Sequence, residues 1–172
     1  IMPYVSTSFY SYVLAGIEEK SGESFYDLLL RNSGDNLDAE KNAVERMLNR
    51  HVDGIICYPS PMAYDLYKKV IDAGIPLVQV GRVVPFLEAP SVTVDDEKGL
   101  YQAVEKLILA GKRKIVYLSI ECHSSLMTSR RDGYRKALIK YGVSLDLQQY
   151  EIKCDSLSFD EAYVKMKAVL NQ

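Results

Sequence analysis

Short apolar runs rich in β-branched residues alternate along this chain with longer stretches of helical periodicity, and that alternation limits the folds open to it. The strand-like runs are residues 26–31 (YDLLLR), 54–58 (GIICY), 76–80 (PLVQV), 91–94 (SVTV), 114–119 (KIVYLS) and 150–154 (YEIKC). Several lack polar alternation, as expected of parallel strands covered on both faces. Between them, Phe9, Tyr12, Val13, Gly16 and Ile17 recur at helical spacing, as do Leu100, Ala103, Val104, Leu107 and Ile108. Further helices are expected over residues 38–50, 62–73 and 128–141, with glycine stops at Gly74, Gly111 and Gly142. A last helix opens at Ser158, three residues before Glu161, in capping-box spacing. Strand–helix repetition of this kind predicts an α/β fold built on doubly wound parallel sheet with right-handed crossovers.

Composition narrows the function. The chain has 172 residues and a net charge of −2, so it carries no basic footprint for nucleic acid. No apolar run approaches the ~18 residues of a membrane span, and no membrane partner is expected. The three cysteines, Cys57, Cys122 and Cys154, form no C-x-x-C pair and fall in or beside apolar runs. Buried thiols in a reducing cytoplasm are the simplest account. Both ends interrupt a pattern, the first a strand and the last an amphipathic run, as in a fragment of a longer protein.

In open parallel sheets, ligands bind beyond the carboxyl ends of the strands. The residues there are Ser6 to Tyr10, Tyr58 to Ser60, Gly81-Arg82, Asp95-Asp96 and Ser119 to Arg131. Hydroxyls, aromatic rings and arginines together suit a neutral polar ligand such as a sugar, with rings on its faces and polar groups on its edges. Each has a plainer reading. Phe9 and Tyr10 can be core aromatics, Asp95-Asp96 a helix cap and first-turn acid, Arg130-Arg131 a solvated helix face, and Ser60-Pro61 an N-cap followed by proline. No dinucleotide, phosphate-loop or nucleophile-elbow motif is present. His51 reads as a cation at a helix C-terminus. His123 beside Cys122 does not make a nucleophile–base pair, and no metal spacing occurs. Neither an enzyme activity nor a cofactor is expected.

Six segments, in order, resemble the effector-binding core of the LacI/GalR family of bacterial transcription repressors. They are Pro3 to Glu18 with its Phe9-Tyr10 pair, the "VDGII" of residues 52–56, Gly74-Ile75-Pro76 through Gly81-Arg82, Val92 through Gly99, Ala103 to Ile108, and Arg130 through Gly133-Tyr134 to Leu138. The resemblance implies a periplasmic-binding-protein-like fold of two α/β lobes with a ligand cleft between them. Residues 1–95 would be the N-terminal lobe and 96–172 part of the C-terminal lobe. The helix-turn-helix DNA-binding domain lies outside this chain, and the family's core continues past residue 172. It further implies a small effector, probed by Thr7, Phe9, Tyr10, Ser60, Arg82, Asp95 and Arg130, Arg130 being the strongest contact. The implied protein is a homodimer that couples effector binding allosterically to operator DNA. A sugar-binding protein of an uptake system is the alternative on the same fold. Thr7-Ser8 replaces the family's usual Asn-Pro, and Tyr4 stands where an acid is common, so the sugar type does not transfer.

Overall fold

The computed structural model describes residues 1–120, 125–144, 146–156 and 158–170, and the chain divides into two units, Ile1–Val94 and Asp95–Gln172. The first contains α1 (Ser8–Glu23), α2 (Leu37–Asn49), β1 (Ile55–Cys57), α3 (Tyr64–Asp72), β2 (Leu77–Val80) and β3 (Ser91–Val92). The second contains α4 (Asp96–Leu109), β4 (Tyr117–Ile120), α5 (Ser125–Lys140), the short α6 (Leu147–Tyr150), β5 (Glu151–Cys154) and α7 (Phe159–Leu170). Among the described residues no helix is long and apolar enough to cross a membrane.

Every described pairing is parallel. In the first unit β1 pairs with β2 from Ile55↔Leu77, and β2 with β3 from Gln79↔Ser91. On the other side of β1 the Tyr58 amide donates to the Ile1 carbonyl, and Met2 bridges to Asn32 in parallel. In the second unit β4 and β5 pair from Tyr117↔Glu151 to Ile120↔Cys154. Side chains from α2, α3, β1 and β2, among them Val44, Met47, Tyr67, Val70, Ile55, Cys57 and Leu77, form one core. Val104 and Ile108 of α4 meet Tyr134, Ala137 and Leu138 of α5 in the second. Cys57 and Cys154 are buried free thiols, and burial pushes the Cys57 thiol up to about 12. Cys122 and His123 lie outside the described residues.

The helix ends follow local chemistry. Asn36 caps α2 by accepting from the Asp38 and Ala39 amides, and Asp95 caps α4 by accepting from Lys98. Gly74, Gly111 and Gly142 all take positive φ just past α3, α4 and α5. His51, past the end of α2, reaches back to the Leu48 carbonyl through Nδ1.

Four expectations need correction. The run 26–31 forms no strand; the pairing starts later, where the Met2 amide donates to Arg31 and the Ser33 amide to Met2. The strand expected at 114–119 starts at Tyr117, after Ile115 has joined the core. Ser60-Pro61 makes a turn ahead of α3, whose N-cap is Ala63. The capping box at Ser158 is half made. Ser158 accepts from the Glu161 amide, but the Glu161 carboxylate turns to the Asp155 and Ser156 amides instead.

Gly133 sets the distance between α4 and α5. A Cβ there would collide with the Glu97 carbonyl and crowd the Tyr101 amide, both rigid backbone. Gly133→Ala should therefore destabilise the protein by about 1–3 kcal/mol despite alanine's better helix propensity. Urea unfolding measures this; an unchanged or raised midpoint would contradict so close a helix approach.

Candidate functional site

Parallel pairing brings the carboxyl ends of the first unit's strands to one edge, and an aromatic and charged cluster assembles there. Tyr4 follows the Ile1–Pro3 segment, Phe9 and Tyr10 open α1, Tyr58 follows β1 and Arg82 follows β2. The Tyr10 ring meets Tyr58 edge-on at 5.0 Å and Phe9 at 5.2 Å, with Tyr4 at 6.4 Å. The Arg82 guanidinium lies 4.8 Å over the Tyr58 ring. Its Nη1 and Nη2 donate to the two Asp35 carboxylate oxygens at 2.5 and 3.0 Å, a bidentate pair.

Burial opposes the Arg82 charge, and Asp35 more than offsets that, so the guanidinium stays ionised. Its Nε is buried without a partner, leaving one donor unspent. Burial, with the neighbouring Tyr58 hydroxyl, raises the Tyr10 phenol above its ordinary range, so it remains a neutral hydroxyl. Gly81 lets Arg82 and Tyr58 come together: it has φ +73°, and a Cβ there would overlap the Tyr58 ring.

Behind the cluster sits a buried carboxylate. Glu40, on the core face of α2, accepts from the Ser60 amide at 3.1 and 3.2 Å and from the Tyr67 hydroxyl. It thereby fixes the turn that carries Tyr58 out of β1. Burial raises its pKa above the usual 4.5, against the hydrogen bonds from Tyr67 and Ser60.

The expected site residues are distributed as follows. Phe9, Tyr10 and Arg82 belong to the cluster. Thr7 is the residue before α1 and donates its hydroxyl to the Tyr4 carbonyl, holding the turn between the first extended segment and the helix. Ser60 is held through its amide by Glu40, while its hydroxyl accepts weakly from Met62 at 3.5 Å. In the second unit Asp95 is spent as the α4 cap. Arg130 donates from Nε to Asp96 at 2.7 Å. Asp35 and Glu40 were missed. Asp35 follows a strand placed too early in the chain, so its strand-end position went unread. Glu40 had a signal, a carboxylate three and four residues before Ala43 and Val44 on the apolar face of α2.

An apolar groove of about 440 Å³ also lies in the first unit, between α1 and the sheet. Its lining is mostly apolar, with Leu14, Ile17, Leu29 and Ile56, and includes Ser21, Tyr26, Asp27 and Asp53 but no lysine, arginine or histidine.

The family described as "periplasmic binding proteins and sugar binding domain of LacI family" matches residues 1–172. Catabolite control protein A of Priestia megaterium is 29% identical over 144 residues, which are 83% of this chain and 43% of that protein. The transcriptional regulator AscG of Escherichia coli is 27% identical over 139 residues, 80% of this chain and 41% of its own. The chain thus spans less than half the length of these relatives. Among solved structures, the transcription regulator CcpA of Lactococcus lactis superposes with a TM-score of 0.84 at 24% identity. That match covers 99% of this chain and 62% of the regulator. A putative ribose operon repressor from Burkholderia thailandensis gives 0.81 at 25%, covering 88% and 58%.

Two outcomes test this geometry. Gly81→Ala should displace Tyr58 and cost stability, because it adds both a clash and left-handed strain. The raised Glu40 pKa carries a definite sign: its contribution to stability is full below 4.5 and is lost as pH rises through the elevated value. Glu40→Gln keeps an acceptor for Ser60 and Tyr67 without the charge. It should melt above wild type at alkaline pH, with the gap closing as pH falls toward 4.5. A gap that widens in acid would reverse the assignment.

Proposed function

Because the chain belongs to the family of periplasmic binding proteins and LacI-type sugar-binding domains, we propose that it is the effector-sensing core of a bacterial transcription regulator. The core binds a small sugar-like molecule and couples that binding to operator recognition by a DNA-binding domain outside these residues. The observation that carries the reading is the cluster at the strand ends of the first unit. Phe9, half exposed and packed edge-to-face on Tyr10, presents a ring for the apolar face of a pyranose or furanose. Tyr10 and Arg82 supply a neutral hydroxyl and an oriented guanidinium for its edge. Asp35 orients the guanidinium and is itself an acceptor for sugar hydroxyls. Arg130, which donates from Nε to Asp96, is proposed as a further effector contact.

Relatives named as transcriptional regulators and repressors favour this reading over an uptake-system binding protein, which the same family includes. The function is binding, not chemistry, and the working protein is a homodimer, since paired operator half-sites call for two-fold symmetry.

A thermal-shift screen of the full-length protein against neutral sugars and nucleosides tests it. A ligand at 100 times its Kd should add roughly 2.7 kcal/mol. A hydrogen bond to a charged group is worth about 1.5–3 kcal/mol, so Arg82→Ala and Arg130→Ala should each weaken the effector found by about tenfold or more. Phe9→Ala should weaken it without lowering the melting point of the free protein, because Phe9 contributes little to the core. No response to any sugar or nucleoside, or undiminished binding by Arg82→Ala, would contradict the proposal.

A further inference from the structure

Arg82 is the cation of the strand-end cluster, and it already has its anion. Its side chain is 11% exposed, and the Asp35 carboxylate, 31% exposed, accepts from Nη1 and Nη2 at 2.5 and 3.0 Å. A guanidinium so far withdrawn from water demands a counter-charge. Without Asp35, that charge would have to come from a ligand, and a guanidinium fork matches a carboxylate or a phosphate well.

The backbone places Asp35 for this. It takes φ +55°, in the left-handed region that Asp and Asn tolerate better than other side chains. The turn around it closes where the Asn36 amide donates to the Ser33 carbonyl at 3.0 Å, and Asn36 then caps α2. The carboxylate so delivered meets an arginine 47 residues further along the chain.

The pair sums to zero charge, and that decides what can join it. A sugar hydroxyl both donates and accepts, so it can serve Asp35 and Arg82 together. A carboxylate or phosphate would set its charge beside that of Asp35, where partial burial leaves less water to screen the repulsion. Tyr10, kept neutral by burial, adds a hydroxyl and no charge. Specificity built this way works against the wrong ligand as much as for the right one.

We infer that Asp35 sets the charge class of the effector: by neutralising Arg82 it makes the first unit take an uncharged, hydroxyl-bearing end of the ligand and refuse a carboxylate or phosphate there. This rests on the reading of the cluster as an effector site. It concerns only the end of the effector that the first unit holds.

Calorimetry on the full-length protein with inorganic phosphate tests it, wild type against Asp35→Asn. Asparagine keeps the left-handed turn and removes the charge. Asp35→Asn should bind phosphate at least tenfold more tightly than wild type, and Asp35→Asn combined with Arg82→Ala should lose that gain. Phosphate held elsewhere on the protein is common to all three and cancels in the comparison. Should Asp35→Asn misfold, Asp35→Gly, which is at ease with a positive φ, carries the same comparison. A purely structural Asp35 would change the melting point and create no anion binding. The inference is overturned if both variants bind phosphate no better than wild type. It is equally overturned if wild type binds phosphate and Arg82→Ala abolishes that binding. If no neutral sugar shifts the melting point of wild type, the effector reading fails, and the phosphate comparison still decides whether Asp35 keeps anions from Arg82.

Discussion

Parallel pairing is the constraint from which the rest follows. When neighbouring strands run the same way, all their carboxyl ends emerge at one edge, and the chain must cross back each time, through α3 between β1 and β2 and through the helix-free residues 81–90 between β2 and β3. In the first unit this gathers Tyr4 and Tyr10, Tyr58 and Arg82 from three separate stretches of sequence, with Asp35 delivered by the turn before α2. In the second it places Tyr117 and Ser119 of β4 beside Glu151 and Lys153 of β5, under the first turns of α5. Both collections of polar chemistry are consequences of sheet direction before they are features of any motif.

Charge is handled differently at the two places. Arg82 is committed to Asp35 and stacked on Tyr58, so its direction is fixed before a ligand arrives. Pre-orientation of this kind spares a ligand part of the entropy of ordering a long side chain. In the second unit the Arg131 Nε is buried without a hydrogen-bond partner among the described residues. Glu40 plays a third part. It is a buried acid whose acceptors are spent on the Ser60 backbone and on Tyr67, holding the turn from which Tyr58 projects.

Much of this was legible in the sequence, for identifiable reasons. Gly74, Gly111 and Gly142 announce helix ends because only a positive φ can reverse the chain there at low cost. The β-branched runs around Ile55, Leu77 and Ser91 do form strands, and the apolar faces of α2 and α4 do carry buried residues. The family follows from six ordered segments, and the match over residues 1–172 agrees with it. What escaped depends on partners distant in the chain. The run 26–31 is apolar, but its pairing is decided by where Met2 meets Asn32. Asp35 and Arg82 are 47 residues apart, and no local pattern links them. Arg130 and Arg131 are neighbours in sequence, and about 100° of helix rotation sends one to Asp96 and the other to a small polar cavity beside β4 and β5.

The account's central claim is that the strand-end cluster of the first unit receives the effector. A crystal structure of the full-length protein with the sugar found by thermal screening tests it most directly. The predicted result is a sugar ring against Phe9, with a hydroxyl within hydrogen-bonding distance of the Arg82 guanidinium. A ligand bound in the apolar groove under α1, or one touching neither Phe9 nor Arg82, would contradict it.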